Sequence, residues 1–146
     1  MWMSTRIENV ISKLKMENKI DHIGWLTDSI EETAKTFSIL GYKADAIVND
    51  DTQRCRICFI YKTNEVRVEL VEPYEDNKTM QRMLKKQGCG PYHTCHTVKD
   101  IDTTYEELVS KDFIPLFQPV AAPAFGGRRI CYFFKQEIGY YEVVEE

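Results

Sequence analysis

The feature that most constrains this chain is an internal repeat. His22 and His93 are 71 residues apart (93 − 22), and Ile30 and Ile101, like Tyr42 and Phe113, keep that offset. Further along, Arg56-Ile57-Cys58-Phe59 returns as Arg129-Ile130-Cys131-Tyr132, an offset of 73 (129 − 56). Glu69-Leu70-Val71-Glu72 returns as Glu142-Val143-Val144-Glu145 at the same spacing. Self-similarity at a fixed period marks a structural unit used twice.

Local patterns predict the same element series in each copy. In the first, alternation predicts strands over 19–26, 42–48, 54–61 and 66–72. A helix follows the first strand, starting at Asp28 and stopping at Gly41, with Ile30, Ala34, Phe37 and Leu40 on its apolar stripe. In the second copy the strands are 92–98, 113–118, 128–134 and 140–145, with a helix starting at Asp100. Each copy is therefore a βαβββ module, and the fold class is α+β. A helix covers one face of such a module and leaves the other bare. Two modules paired together close the bare faces into a shared cleft, giving an open, barrel-like sheet.

The expected organisation is one domain over 18–146. Module one covers about 18–76, a linking helix 77–88, and module two about 89–146. Residues 1–17 are expected to be an N-terminal helical extension, with Thr5 and Glu8 at capping-box spacing and Ile7, Val10, Ile11 and Leu14 on one face.

Two carboxylates then demand partners. Glu69 and Glu142 each sit mid-strand in an apolar run, where an unpaired charge is costly. Val66, Val68 and Leu70 share the face expected under a helix; Arg67, Glu69 and Val71 share the other. Glu72 and Glu145, ending each run, are expected on the solvent face. Each module supplies one histidine on its first strand and one glutamate on its last. A pseudo-two-fold axis would bring His22, Glu69, His93 and Glu142 together as a mixed nitrogen and oxygen site for one divalent metal ion, with Ni, Co, Zn or Mn all compatible.

Composition excludes several classes. A net charge of −4 with no basic stripe argues against nucleic acid. No apolar run approaches the length of a membrane helix, and no signal-peptide core is visible at the N-terminus. Five cysteines without a disulfide framework favour a reducing, cytoplasmic setting. Cys55 and Cys58, three apart on a strand, are expected on opposite faces and not as a metal pair, and His96 points away from His93.

The chain resembles the vicinal oxygen chelate superfamily over about residues 18–146. The matching stretches are His22-Ile23-Gly24 with Asp28, Val68-Glu69-Leu70-Val71-Glu72-Pro73, Gly90-Pro91-Tyr92-His93 with Val98-Lys99-Asp100-Ile101, and Gly139-Tyr140-Tyr141-Glu142-Val143. Gly126-Gly127-Arg128-Arg129 matches a glycine-rich turn of its small members. The resemblance implies a substrate with two adjacent oxygens on the metal, and His22, Glu69, His93 and Glu142 as ligands. It implies proton transfer by Glu142 or Glu69, with Glu142 preferred as the base.

The leading expectation is a glyoxalase I-type lyase or isomerase, converting a 2-oxoaldehyde–thiol hemithioacetal into a 2-hydroxyacyl thioester. The alternative is a methylmalonyl-CoA epimerase-like acyl-CoA epimerase. Epimerases of the family usually carry Glu-Gln-Gly before the third strand; here Thr52-Gln53-Arg54 stands there, with Asp50 or Asp51 as substitutes. A non-catalytic binding or resistance protein is a further alternative, though such members typically lack the full ligand set. An iron dioxygenase is disfavoured by the second carboxylate, Glu69. Arg67, Cys95 and Arg128 are expected to touch the substrate, residues 119–127 to cover it, and the chain to form a homodimer.

Overall fold

The structure, a computed structural model, describes residues 19–146, so the expected N-terminal helix lies outside the described residues. Its strands are β1 (Ile20–Leu26), β2 (Lys43–Ala44), β3 (Val48–Asp50), β4 (Cys55–Tyr61), β5 (Arg67–Pro73), β6 (Gly90–Val98), β7 (Ile114–Pro115), β8 (Val120–Ala121), β9 (Arg129–Lys135) and β10 (Gly139–Glu145). Its helices are α1 (Ile30–Ile39), α2 (Lys78–Gln87) and α3 (Ile101–Ser110).

The strands form a single sheet in the order β2-β4-β5-β1-β6-β10-β9-β7, with β3 also on β4 and β8 also on β9. Read from the centre outwards, the two halves match. In one, β1 runs parallel to β5, which is antiparallel to β4. In the other, β6 runs parallel to β10, which is antiparallel to β9. The halves meet where β1 and β6 pair antiparallel. The path starts at β2 and ends at β7, so the sheet stays open.

Local chemistry explains the elements. Ser29 caps α1, accepting from the Glu32 amide, one residue later than the expected start at Asp28, and Glu31 and Glu32 suit its positive N-terminal end. Asp100 caps α3 in the same way through the Thr103 amide. Under α1, Ile30 packs with Cys58, Ile60, Val68 and Leu70. Under α3, Ile101 and Leu108 pack with Cys131, Phe133 and Val143. A third apolar cluster, including Cys55, Ile57, Phe59, Val71 and Phe125, lies on the opposite, concave face. Cys55 and Cys58 thus point to opposite sides of the sheet. His96 packs beside Tyr141, away from the concave face.

Three expectations are corrected. The strand at 42–48 is two short strands, the second of which runs on past 48 to Asn49 and Asp50. The long β4 pairs with both pieces, β2 at one end and β3 at the other. The strand at 113–118 shrinks to Ile114–Pro115, where proline offers the ladder no N–H. Glu72 and Glu145 do not simply face solvent. Glu72 accepts from the Ile30 amide at 3.0 Å and from Arg56 at 2.8 Å. Glu145 accepts from the Arg129 amide at 2.7 Å and pairs with its guanidinium.

Candidate metal centre and adjoining cavity

Four adjacent central strands, β5, β1, β6 and β10, each send one donor to the concave face. The register sets their positions. Gly24 lies opposite both Glu69 and His93, and Cys95 lies opposite both His22 and Glu142. Gly24 and Cys95 are themselves repeat mates. A Cβ on Gly24 would stand 2.0 Å from the His93 ring, so the absent side chain makes room for that imidazole.

His22 Nε2 stands 2.9 Å from Glu142 Oε1 and 3.5 Å from Glu69 Oε1. His93 Nε2 stands 3.2 Å and 3.5 Å from the same two oxygens. The two Nε2 atoms are 3.1 Å apart. All four residues are buried, none more than 4% exposed. Glu69 Oε1 and Glu142 Oε1 make no hydrogen bond despite their close neighbours.

Lone pairs crowded together without hydrogen bonds are what a cation site needs. A divalent ion with donors at 2.0–2.2 Å separates neighbouring donors by about 2.8–3.6 Å. The observed spacings fall in that range, so the four residues fit the expected ion.

The electrostatics point the same way. Burial works against a charged His22, but the Glu69 charge and the contacts with Asp21 and Glu142 outweigh it and raise its pKa to about 10. Burial drives Glu69 up to about 8, and repulsion from Glu142 adds to this against the pull of His22. Burial also opposes ionisation of Glu142, yet its contacts with His22 and His93 hold it down at about 2. Burial lowers His93. The acidic groups around His22 thus favour its protonated form against the cost of burial.

Asp21 was not anticipated. Its carboxylate accepts from His22 Nδ1 at 2.7 Å and from Arg67 at 2.8 Å. That bond leaves the His22 Nε2 lone pair free for the centre. Strict alternation would turn Asp21 away, but the β1–β6 register slips between Ile20 and His22. A bulge of that kind lets adjacent side chains reach one place. The only signal in the sequence was an acid beside a ligand-type histidine.

A cavity of about 670 Å³ opens beside the donors, with Glu69 in its wall. Tyr92, Tyr132 and Tyr140 also line it, and none was singled out from sequence. The Tyr132 hydroxyl lies 3.3 Å from His93 Nε2. The three residues expected to touch substrate are not in this wall. Arg67 stacks 3.8 Å above the Phe59 ring and pairs with Asp21. Arg128 bonds to the Phe125 and Glu145 carbonyls. Cys95 is fully buried in the third apolar cluster. In the loop read as a cover, Pro119 and Val120 do line the cavity, while Phe125 is buried against His22, ring centroids 5.7 Å apart. Asp50 and Asp51 are committed elsewhere: Asp50 accepts two bonds from Gln53, and Asp51 one from Tyr74.

A family profile described as the Glyoxalase/Bleomycin resistance protein/Dioxygenase superfamily matches residues 21–132. The chain belongs to this superfamily. The matched stretch holds His22, Glu69 and His93, and Glu142 lies beyond it. Among relatives of the superfamily, the chain is 24% identical over 110 residues to a mitochondrial methylmalonyl-CoA epimerase of Dictyostelium discoideum. That match covers 74% of this chain and 65% of the relative's length. The fold is similar to methylmalonyl-CoA epimerase from Mycobacterium tuberculosis, with a TM-score of 0.76, 19% identity and 86% of each chain covered. It is also similar to a Streptomyces coelicolor methylmalonyl-CoA epimerase in complex with 2-nitronate-propionyl-CoA, with a TM-score of 0.77, 19% identity, and 88% and 94% of the two chains covered. Among the described residues no helix is long and apolar enough to cross a membrane.

Proposed function

We propose that this chain is a metal-dependent acyl-CoA epimerase, moving a proton between the two faces of the carbon beside a thioester carbonyl. The observation that carries it is the convergence of His22, Glu69, His93 and Glu142 on one buried point at the edge of a cavity. The relatives named as methylmalonyl-CoA epimerases favour this over the glyoxalase I reading that the sequence put first.

His22, His93, Glu69 and Glu142 would hold the divalent ion, which supplies Lewis acidity to a carbonyl oxygen and makes the neighbouring C–H acidic. Asp21 fixes the His22 tautomer and Arg67 anchors Asp21. Glu69, the one donor in the cavity wall, is placed to take the proton at its carboxylate. Epimerisation must return a proton on the opposite face, and Glu142 is the other carboxylate of the cluster. The sequence preferred Glu142 as base; its absence from the cavity wall supports giving that part to Glu69. The apolar wall keeps water from competing for the proton.

The test is exchange of the α-proton of methylmalonyl-CoA for solvent deuterium. Metal-loaded protein should exchange it, chelated protein should not, and Glu69→Gln should slow exchange by about 10²-fold or more. Exchange that survives chelation would overturn the reading.

One observation keeps the glyoxalase I reading as second. Among the described residues no carboxylate other than Glu69 lines the cavity, and Asp50 and Asp51 are tied to Gln53 and Tyr74. An isomerisation between neighbouring carbons needs a single proton carrier. Turnover of a 2-oxoaldehyde hemithioacetal, without exchange on acyl-CoA, would favour it. A homodimer in a reducing compartment completes the proposal, with sedimentation as its check.

A further inference from the structure

We propose that the cavity beside Glu69 is an acyl-substituent site, built for a 2-alkyl group larger than methyl on the reacting carbon. This inference rests on the epimerase reading and specifies its substrate class. The first support is size. The cavity is about 670 Å³. A methyl group fills roughly the share of one water, ~30 Å³, and would leave most of that space empty. Apolar walls without contact atoms opposite them lose their dispersion attraction.

The second support is the chemistry of the lining. Ile57, Val71, Met80, Met83, Phe117 and Val120 present apolar surface, and among the described residues Glu69 is the only charged one in the wall. Two of the three amide side chains, Gln53 and Asn77, are already engaged. Gln53 Nε2 donates to Asp50 at 2.7 Å. Asn77 Nδ2 donates to the Gln53 and Arg54 carbonyls, and its oxygen accepts from the Met80 amide. Thr52, Thr79 and Gln118 are exposed, and of the three tyrosines in the wall Tyr132 holds its hydroxyl 3.3 Å from His93 Nε2. A thiol arm carrying amides and phosphates therefore suits this outer rim, whereas the interior suits hydrocarbon.

The third support is α2. None of its residues is buried, and Met80 and Met83 look into the cavity. Met80 already packs against the third apolar cluster, so an apolar ligand would extend that contact along the helix to Met83. Methionines are flexible enough to close around chains of differing shape.

The experiment measures α-proton exchange by metal-loaded protein on methylmalonyl-, ethylmalonyl- and butylmalonyl-CoA. Each buried methylene contributes about a fourfold gain, so kcat/KM should rise on the order of fiftyfold from methyl to butyl. Met83→Trp, on a helix with no buried residue, should fill the site and slow the butyl substrate far more than the methyl one, abolishing the butyl advantage. Equal or better exchange of the methyl substrate overturns the acyl site and leaves the epimerase reading standing. So does a Met83→Trp protein that loses all three substrates equally while melting as the parent does. No exchange on any of the three overturns the epimerase reading and this inference with it.

Discussion

Gly24 is the residue on which the centre depends most directly without donating to it. Its missing side chain is the space occupied by the His93 ring, and a Cβ there would sit 2.0 Å from it. Gly24→Ala should therefore displace His93, weakening metal binding and lowering stability by roughly 1–3 kcal/mol as overpacked cores do. Thermal melts with and without added metal would check this, and unchanged melts would refute the close packing. Protonation gives a second residue-scale prediction. In chelated protein, folding raises Glu69 from 4.5 to about 8 and His22 from 6.5 to about 10. The folded state then holds more protons than the unfolded one, so stability falls with rising pH. The Glu69 contribution is full below about 4.5 and lost through 8; that of His22 is full below about 6.5 and lost through 10. The urea midpoint of chelated protein should drop between pH 6 and 10, while metal-saturated protein resists the drop because its ligands bind deprotonated. A rising midpoint in the chelated sample would contradict the shifts. The four donors were legible in the sequence because they sit at matched positions of a repeat. Asp21 was not, because a register slip decides where it points.

At the level of elements, the repeat extends to the ion pairs that fasten each helix to its sheet. Arg56 pairs with Glu31 at the start of α1 and with Glu72 at the end of β5. Arg129 pairs with Asp102 at the start of α3 and with Glu145 at the end of β10. These partly exposed networks tie together the same corner of each half. The repeat made the glutamates visible, but a strand pattern cannot show which helix N-terminus approaches them. The edge strands were the least legible elements, since their lengths follow from pairing along β4 and β9. The helix α2 breaks the symmetry, having no counterpart in the order of either module. With no buried residue, its amides should exchange faster than those of β1, β5, β6 and β10. A bound acyl-CoA should slow them selectively, as read by hydrogen exchange with mass spectrometry. Uniform protection across α2 and the central strands without ligand would show that the helix is already fixed.

For the molecule as a whole, the two halves meet along the β1–β6 pairing, and the donor cluster draws two members from each. The fold class was readable because both halves repeat one element series and so share one answer. The cavity wall was legible only in part: Tyr132 stands in the repeated quartet as the mate of Phe59, but α2 has no counterpart in either module, so the repeat could not place Met80 and Met83. Metal that binds only the folded chain stabilises it by about 2.7 kcal/mol at a hundredfold excess over Kd. For a domain of this size that corresponds to a rise of about 5–10 °C in Tm. His93→Ala should erase the rise, and a chelator should reverse it in the parent protein. An unaffected Tm would argue against a bound cation. In mechanical language the sheet is two plates laid edge to edge, and an ion held by His22, Glu69, His93 and Glu142 is a rivet through both. Parting the plates and losing the ion would then be one event. Under a stretching force applied across the β1–β6 joint, metal-loaded molecules should give way in a single step at higher load than stripped ones.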